Sequence, residues 1–290
     1  MRVLVLFIRY GAEKYPDALA DLDRIYQCHA PDLDRTTIVI DNALPLGVSR
    51  SVGKDTVLIG GDNTWWEFSG WQCAIDLFNK EIGEHDAIHF VTSAFRTHYT
   101  DYLERFSTRM IECAASRPIV AGHIDYYPYP IRFGTYVSRH WFRSSFWLVN
   151  PTELRRLRNL VTVDSREGLF SPQDDWPFVK GGPLSRGYQE LIVDWLTSHQ
   201  GTGQDTVWHS RFDLTAETRD LFQDKSIAIL NEHLLSIRLR AQGTHLLDMT
   251  YLAEITEGGE PLPQQFPSWR KQILLRHIPG HDQIGDAVWR

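Results

Sequence analysis

The chain is poor in cysteine, with only Cys28, Cys73 and Cys113 in 290 residues. Their odd number and wide spacing exclude a disulfide framework and match no zinc-ligand pattern, so buried thiols in a reducing compartment are expected. Long apolar runs are missing too: nothing approaches the roughly 18 residues that cross a bilayer. Positive charge is not in excess. The formal net charge is −7, which excludes a basic nucleic-acid-binding domain as the general plan. The histidines show no ligand spacing on one helical face, His-Glu-x-x-His is absent, and neither a G-x-S-x-G elbow nor a P-loop occurs. The usual anchors of zinc-hydrolase, serine-hydrolase and P-loop kinase chemistry are therefore lacking. There is no internal repeat and no low-complexity tract.

What is present is a balanced composition, 42% hydrophobic and 23% charged, enough for a sizeable core. The opening "MRVLVLFIRY" lacks a small-residue cleavage site and runs into charged helical sequence, so it reads as a strand and not a signal peptide. A helical segment follows, then the β-branched "TTIVIDN" (36–42), "DTVLIGGDN" (55–63), a helix from about 69 to 82, "AIHFV" (87–91), a helix from about 99 to 115, and "PIVAGHI" (118–124). Strands alternating with helices imply an α/β fold with a mostly parallel sheet buried on both faces. Ligands in such sheets bind at the carboxyl ends of the strands. That rule points to Asp41-Asn42, to Asp62-Asn63 and to the loop after Val91. Asp and Asn are equally at home in turns, where their side chains bond nearby backbone.

The second half is less regular. "SSFWLVN" reads as a strand leading into a helix opened by Asn150-Pro151, with proline well placed at the first helical position. Residues 163–187 carry loop chemistry, including "DDWP" and "KGGP", of the kind that forms a lid, a binding loop or a plain connection. Helices are expected over about 187–198 and 227–241, and the tail holds the short basic amphipathic "SWRKQILLRHI". Trp65, Trp66, Phe68 and Trp71 form a dense aromatic group, suited to sugar stacking or to core packing, with core expected for at least two.

The order of these elements resembles the GT-A glycosyltransferases, in particular the inverting, nucleotide-sugar-dependent family 2. Four stretches carry the resemblance: "TTIVIDNAL", "GGDNTWWEFSGWQCAI", "SSFWLVNPTELRRL" and "NEHLLSIRLRAQG". In the family the last of these has an acidic residue six positions before an Arg and eleven before a Gly. Here Glu232 stands six before Arg238 and eleven before Gly243, with Asn231 in place of the preceding acid. The resemblance implies a GT-A-like (Rossmann-like) domain over 1–253, with a nucleotide-sugar-binding half (1–124), an acceptor half (125–253) and a C-terminal extension (254–290). It implies Glu232 as the general base that deprotonates an acceptor hydroxyl. The bland alternative is a carboxylate near a helix start, complementing the dipole. Asp41, Asp62, Asn63, Glu67, Thr92 and Ser93 fall on the donor side, although Glu67 equally suits the opening of a helix.

The sequence departs from the family at one place. Where an Asp-x-Asp pair should hold a divalent metal after the fourth strand, it has Thr92, Ser93 and Ala94. Mn²⁺ or Mg²⁺ would lack its usual carboxylates, and no metal ligand is assigned; Asp125 is the nearest surviving acid. Cationic substitutes for the diphosphate charge are Arg96, His98, Lys180 and Arg186, each equally readable as a solvated surface residue. Asp174, Asp175 and Trp176 are acceptor-side candidates, or a polar turn. The expected activity is sugar transfer in polysaccharide or glycoconjugate assembly, from a nucleotide-sugar donor to a saccharide or lipid-linked saccharide acceptor. The expected place is the cytoplasm, at the inner face of a membrane, with residues 268–278 either touching the lipid surface or docking on their own domain. The rival is a non-catalytic GT-A-like sugar- or nucleotide-binding protein, and a third reading is a nucleotide-sugar hydrolase.

Overall fold

The computed structural model describes residues 1–97, 101–172, 176–197, 211–259 and 261–276. His98, Asp174 and Asp175 lie outside the described residues. The apolar run at the N-terminus forms β1 (Arg2–Arg9), the centre of an eight-stranded mixed sheet. Its neighbours are β2 (Asp34–Asp41) and β5 (Ala87–Thr92), both parallel to it, and β4 (Thr56–Gly60) lies parallel beyond β2. Outside β4 runs β3 (Ser49–Gly53), an antiparallel edge strand exposed along its whole length. On the other side, β7 (Tyr136–Val149) is antiparallel to β5, β6 (Ile119–Phe133) is antiparallel to β7, and β8 (His245–Asp248) is parallel to β6. The order is β3-β4-β2-β1-β5-β7-β6-β8.

The chain moves outward from β1 through β2 to β4, then returns to lay β5 on the opposite side of β1. The loops after β1 and β5 therefore diverge, which opens a crevice at the carboxyl ends of the strands.

One face of the sheet is covered by α1 (Ala18–His29), α4 (Thr108–Ser116) and α8 (Met249–Glu257). The other carries α2 (Trp66–Leu77), α3 (Asn79–Glu84), α5 (Pro151–Leu157) and the C-terminal half of α7 (Arg219–Ala241). A third apolar cluster joins the outer part of the β6–β7 hairpin to α6 (Arg186–Thr197), to Val163, Leu169, Phe170, Phe178 and Leu184 from the irregular stretch before it, and to the N-terminal half of α7. Its members include Tyr127, Trp141, Trp195 and Leu230.

Several boundaries differ from the sequence reading. The expected 69–82 helix breaks at Phe78 into α2 and α3. The expected 99–115 helix is a 3₁₀ turn (Asp101–Arg105) followed by α4, because Ser107 is extended and its hydroxyl accepts the Met110 N–H as an N-cap. The Asn150-Pro151 start is borne out: Asn150 Oδ1 accepts the Glu153 N–H at 2.9 Å. Phe68 and Trp71 are core, the indole N–H of Trp71 donating to Leu6 O. The thiol expectation needs correction: only Cys113 is buried, and Cys28 is exposed. The tail forms α9 (Trp269–Ile273), which buries Ile273 and Gln272 and packs Trp269 against Tyr126 and His140. Arg276 then pairs with buried Asp248. Residues 269–276 thus dock on their own domain, leaving Leu274 and Leu275 exposed. Among the described residues no helix is long and apolar enough to cross a membrane.

Candidate functional site

A cleft of about 370 Å³ opens at the divergence between the β1 and β5 loops. Asn42, Asn63, Thr92, Ser93 and Asp125 line it from the strand ends, Trp66 and Glu67 from α2, and Lys225, Ile229 and Glu232 from α7. Residues 225, 229 and 232 are spaced four and three apart, so α7 presents one stripe to the cleft. Sequence spacing put Glu232 near a helix start, but α7 begins at Arg219 and Glu232 is mid-helix. The dipole explanation for this carboxylate is therefore removed, since that effect fades beyond the first turn.

The other members of the "NEHLLSIRLRAQG" register hold the scaffold. Asn231 is fully buried; its Oδ1 accepts the N–H groups of Thr162 and Val163 at 2.7 and 2.8 Å, and its Nδ2 donates to Val163 O at 3.0 Å. Arg238 lies seven residues on, on the same face, and donates to Asn159 O and Leu157 O. Gly243 takes φ +92° and closes a Schellman cap, with Gly243 N donating to Arg240 O and Thr244 N to Leu239 O. His233 is a core histidine bonded to the Tyr188 hydroxyl, and burial lowers its pKa to about 3.

A bulge in β7 supplies the third wall. The β6–β7 register jumps from Gly122↔Trp147 to Ile124↔Phe142, so β7 carries extra residues between Phe142 and Trp147. Regular strand would send Arg143, Ser144 and Ser145 to alternate faces. The bulge instead lets all three line the cleft. Ser144 donates through its backbone N–H to Glu232 Oε1 at 2.7 Å, and its Oγ lies 2.8 Å from the same oxygen and 3.3 Å from Glu67 Oε1. Glu232 Oε2 receives no hydrogen bond from the described residues. Burial raises both carboxyls, Glu67 to about 7 with added repulsion from Glu232, and Glu232 with added repulsion from Asp125. Ser144 opposes the rise at each. Asp125 pairs with Arg143. Burial works against its carboxylate, but Arg143, His123 and Arg276 outweigh that and hold its pKa below the usual range.

The structure thus brings Asn63, Glu67, Thr92, Ser93 and Glu232 together, with Asn42, Trp66 and Asp125 beside them, and leaves Asp41, Asp62, Arg96, Lys180, Trp176 and Arg186 outside the cleft lining. Asp41 accepts from Arg9 Nε at 2.7 Å, Gly11 N at 2.9 Å and Ala43 N at 3.1 Å, and does not line the cleft. Asp62 accepts from both N and Oγ1 of Thr64. Arg96 is exposed and pairs with Asp21; Lys180 is exposed. Arg186 pairs with Glu190 and stacks on Trp176, whose indole N–H donates to Gln189.

Sequence reasoning missed Arg9, Lys225, Arg143, Ser144, Trp141 and Trp195, all of which line the cleft. Arg143 and the two serines had a signal: a polar triplet inside an otherwise aromatic strand. Lys225 had none, for it projects from a charged stretch of helix. Its ammonium lies over the Trp66 ring at 4.9 Å, and burial lowers its pKa, with Lys14 adding to the effect and Glu67 opposing it. Trp66 itself has φ +56°, a strained value for a bulky residue, and its carbonyl accepts from Asn42 Nδ2 at 2.9 Å.

Among the described residues the cleft offers no carboxylate cluster of the kind that holds a divalent cation. Thr92, Ser93 and Ala94 line the place after β5, Asp125 is engaged by Arg143, and Glu67 and Glu232 meet at Ser144. Among the described residues no three His, Cys, Asp or Glu side chains could together hold a metal. Compared with known proteins, the chain matches no family model and no curated sequence.

Proposed function

We propose that the protein is a GT-A-like glycosyltransferase that moves a sugar from a nucleotide-sugar donor to an acceptor hydroxyl, with Glu232 as general base. The observation that carries this reading is the Glu232 carboxylate. It lines a cleft at the carboxyl ends of the strands, one oxygen anchored by Ser144 and the other without a donor among the described residues. A base needs that arrangement: held in place, yet with an acceptor oxygen free for the incoming proton. The cleft volume falls in the range of small-molecule sites. Trp66, Trp141 and Trp195 supply apolar faces of the kind that pack against sugar rings.

The diphosphate charge is assigned to Arg9 and Lys225 in place of a metal and of the cations read from sequence. Arg9 is held by Asp41, so Asp41 acts on the donor side through Arg9. The acceptor is a saccharide or lipid-linked saccharide, in polysaccharide or glycoconjugate assembly. Leu274 and Leu275 leave room for a peripheral membrane contact by the tail. The rival reading, a non-catalytic sugar- or nucleotide-binding protein on the same fold, draws on Thr92, Ser93 and Ala94 standing where metal-binding carboxylates would be.

The test is thermal shift and calorimetry of the purified protein with UDP-, GDP-, dTDP- and CMP-sugars, each with EDTA and with Mn²⁺, because a ligand of the native state raises apparent stability by mass action. One donor is expected to bind in EDTA and to support transfer that Glu232→Gln abolishes while binding persists. Binding without transfer to any acceptor favours the non-catalytic reading. Donor breakdown without acceptor dependence favours a hydrolase. No binding at all refutes the donor site.

A further inference from the structure

The Ser144 hydroxyl lies between two carboxylates delivered by different helices, Glu232 from α7 and Glu67 from α2. A hydroxyl has one proton to donate. If both carboxyls were ionised, Ser144 could bond only one of them, and the other would face its lone pairs. The arrangement is complete when one carboxyl keeps a proton. The donors show which one: Glu232 Oε1 accepts from both the backbone N–H and the hydroxyl of Ser144, whereas the Glu67 side chain has the longer contact to that hydroxyl and, beside it, its own backbone N–H.

We propose that Glu67, Ser144 and Glu232 share one proton as a single acid–base unit, in which the Glu67 O–H donates to Ser144 Oγ and the Ser144 O–H donates to ionised Glu232. Glu67 is a positioning residue: it keeps the proton so that Glu232 stays ionised. Around the unit, Asp125 stands on β6, Arg143 on β7 and Lys225 on α7, with the buried hydroxyls of Tyr127 and Tyr188 behind Glu232. The upward displacement of both carboxyls by burial agrees with a retained proton. The sharing rests on geometry alone; its use in poising a base rests on the transfer reading above.

The test is a pH titration of the glutamate side-chain carboxyls by ¹³C NMR, with the Glu232 and Glu67 signals assigned by their loss in Glu232→Gln and Glu67→Gln. Coupled groups titrate in shared steps. In the unmodified protein the Glu232 signal is expected to move in two steps, one coinciding with that of Glu67. In Glu67→Gln, whose amide imitates a protonated carboxyl, Glu232 is expected to titrate in one step at lower pH. Ser144→Ala should weaken the shared step, and it serves as the second variant if Glu67→Gln does not fold. A single Glu232 step in the unmodified protein, unmoved by either substitution, overturns the proposal. If the coupling is seen but Glu232→Gln leaves transfer intact, the transfer reading fails and the proton-sharing unit stands. If Glu232→Gln abolishes transfer but no coupling is seen, the reverse holds.

Discussion

The two sides of the cleft, the strand ends on one and α2, α7 and the β7 bulge on the other, use their carboxylates in opposite ways. Behind the strand-end wall, without lining the cleft, Asp41 accepts from Arg9 Nε, Gly11 N and Ala43 N, and Asp62 caps its own turn through Thr64. Their capacity goes into loop architecture. On the wall built from α2, α7 and the β7 bulge, Glu67 and Glu232 meet at one serine, and Glu232 keeps an oxygen without a donor among the described residues. A carboxylate at a strand end is well placed for a ligand only if some of its acceptor positions remain unfilled.

The sharpest break of this comparison is a pair of isosteric changes, one per side. Glu232→Gln is expected to lower the transfer rate by roughly 10²–10⁴-fold, the usual contribution of a general base, with donor affinity unchanged. Asp41→Asn is expected to weaken donor binding by loosening Arg9 while the rate at saturation holds. If the two variants lose rate equally, the sides are not distinct in the way proposed.

Protons provide the next largest effect. His89, His140 and His233 are held down to about 3 and His123 to about 4, chiefly by burial, against an ordinary value of 6.5. Their folded-state pKa values are depressed, so the unfolded chain binds more protons below pH 6.5 and stability falls on acidification. The slope is roughly 1.4 kcal/mol per pH unit for each such group. Glu67, raised to about 7 from 4.5, has the opposite sign: its stabilising contribution is present below 4.5 and lost as pH rises through 7. Four histidines outweigh it between pH 6.5 and 4.5. Urea midpoints measured at pH 7, 6 and 5 should fall in that order, and a flat series would show that these imidazoles are not buried in neutral form.

Asn231 lies next to Glu232 in sequence but belongs to neither wall. Replacing it with alanine leaves Thr162 N, Val163 N and Val163 O without their partner. Unsatisfied buried groups each cost about 1–3 kcal/mol, so a loss of about 3 kcal/mol is expected in urea unfolding, with the slope of the transition unchanged. A smaller loss would mean that water replaces the asparagine in holding this loop.

The contrast also shows where sequence reading succeeds. β1, β2 and β5 were legible because each is a continuous apolar run buried on both faces. β3 was not, since a short exposed strand of Ser, Arg, Val and Gly carries no periodic signal. β6 and β7 run past the stretches read as strands because bulges, and Pro128 and Pro130 within β6, interrupt their alternation. α7 was read from Ile227 because its first turns, "RDLFQDKS", hold little apolar sequence, although Phe222 is fully buried. Glu232, Glu67, Asn63, Thr92 and Ser93 were found by register and by the strand-end rule. Arg9, Lys225 and Ser144 were not found, because the cleft that unites them is made by tertiary packing of segments with no shared local signal.

The smallest expected effect separates motif from chemistry. Asn231, Glu232, Arg238 and Gly243 form one register in sequence, yet only Glu232 lines the cleft; Arg238 holds the 157–159 turn, and Gly243 ends the helix at φ +92° with nothing within 4 Å of where a Cβ would stand. An alanine at 243 meets no clash but must adopt a left-handed conformation, at a cost of about 1 kcal/mol. Gly243→Ala should therefore lower the thermal midpoint by a few degrees and leave donor binding and transfer unaltered. If it changed transfer as strongly as stability, the end of α7 would be coupled to the cleft, and the position of Glu232 would depend on the whole helix and not on its contacts with Ser144.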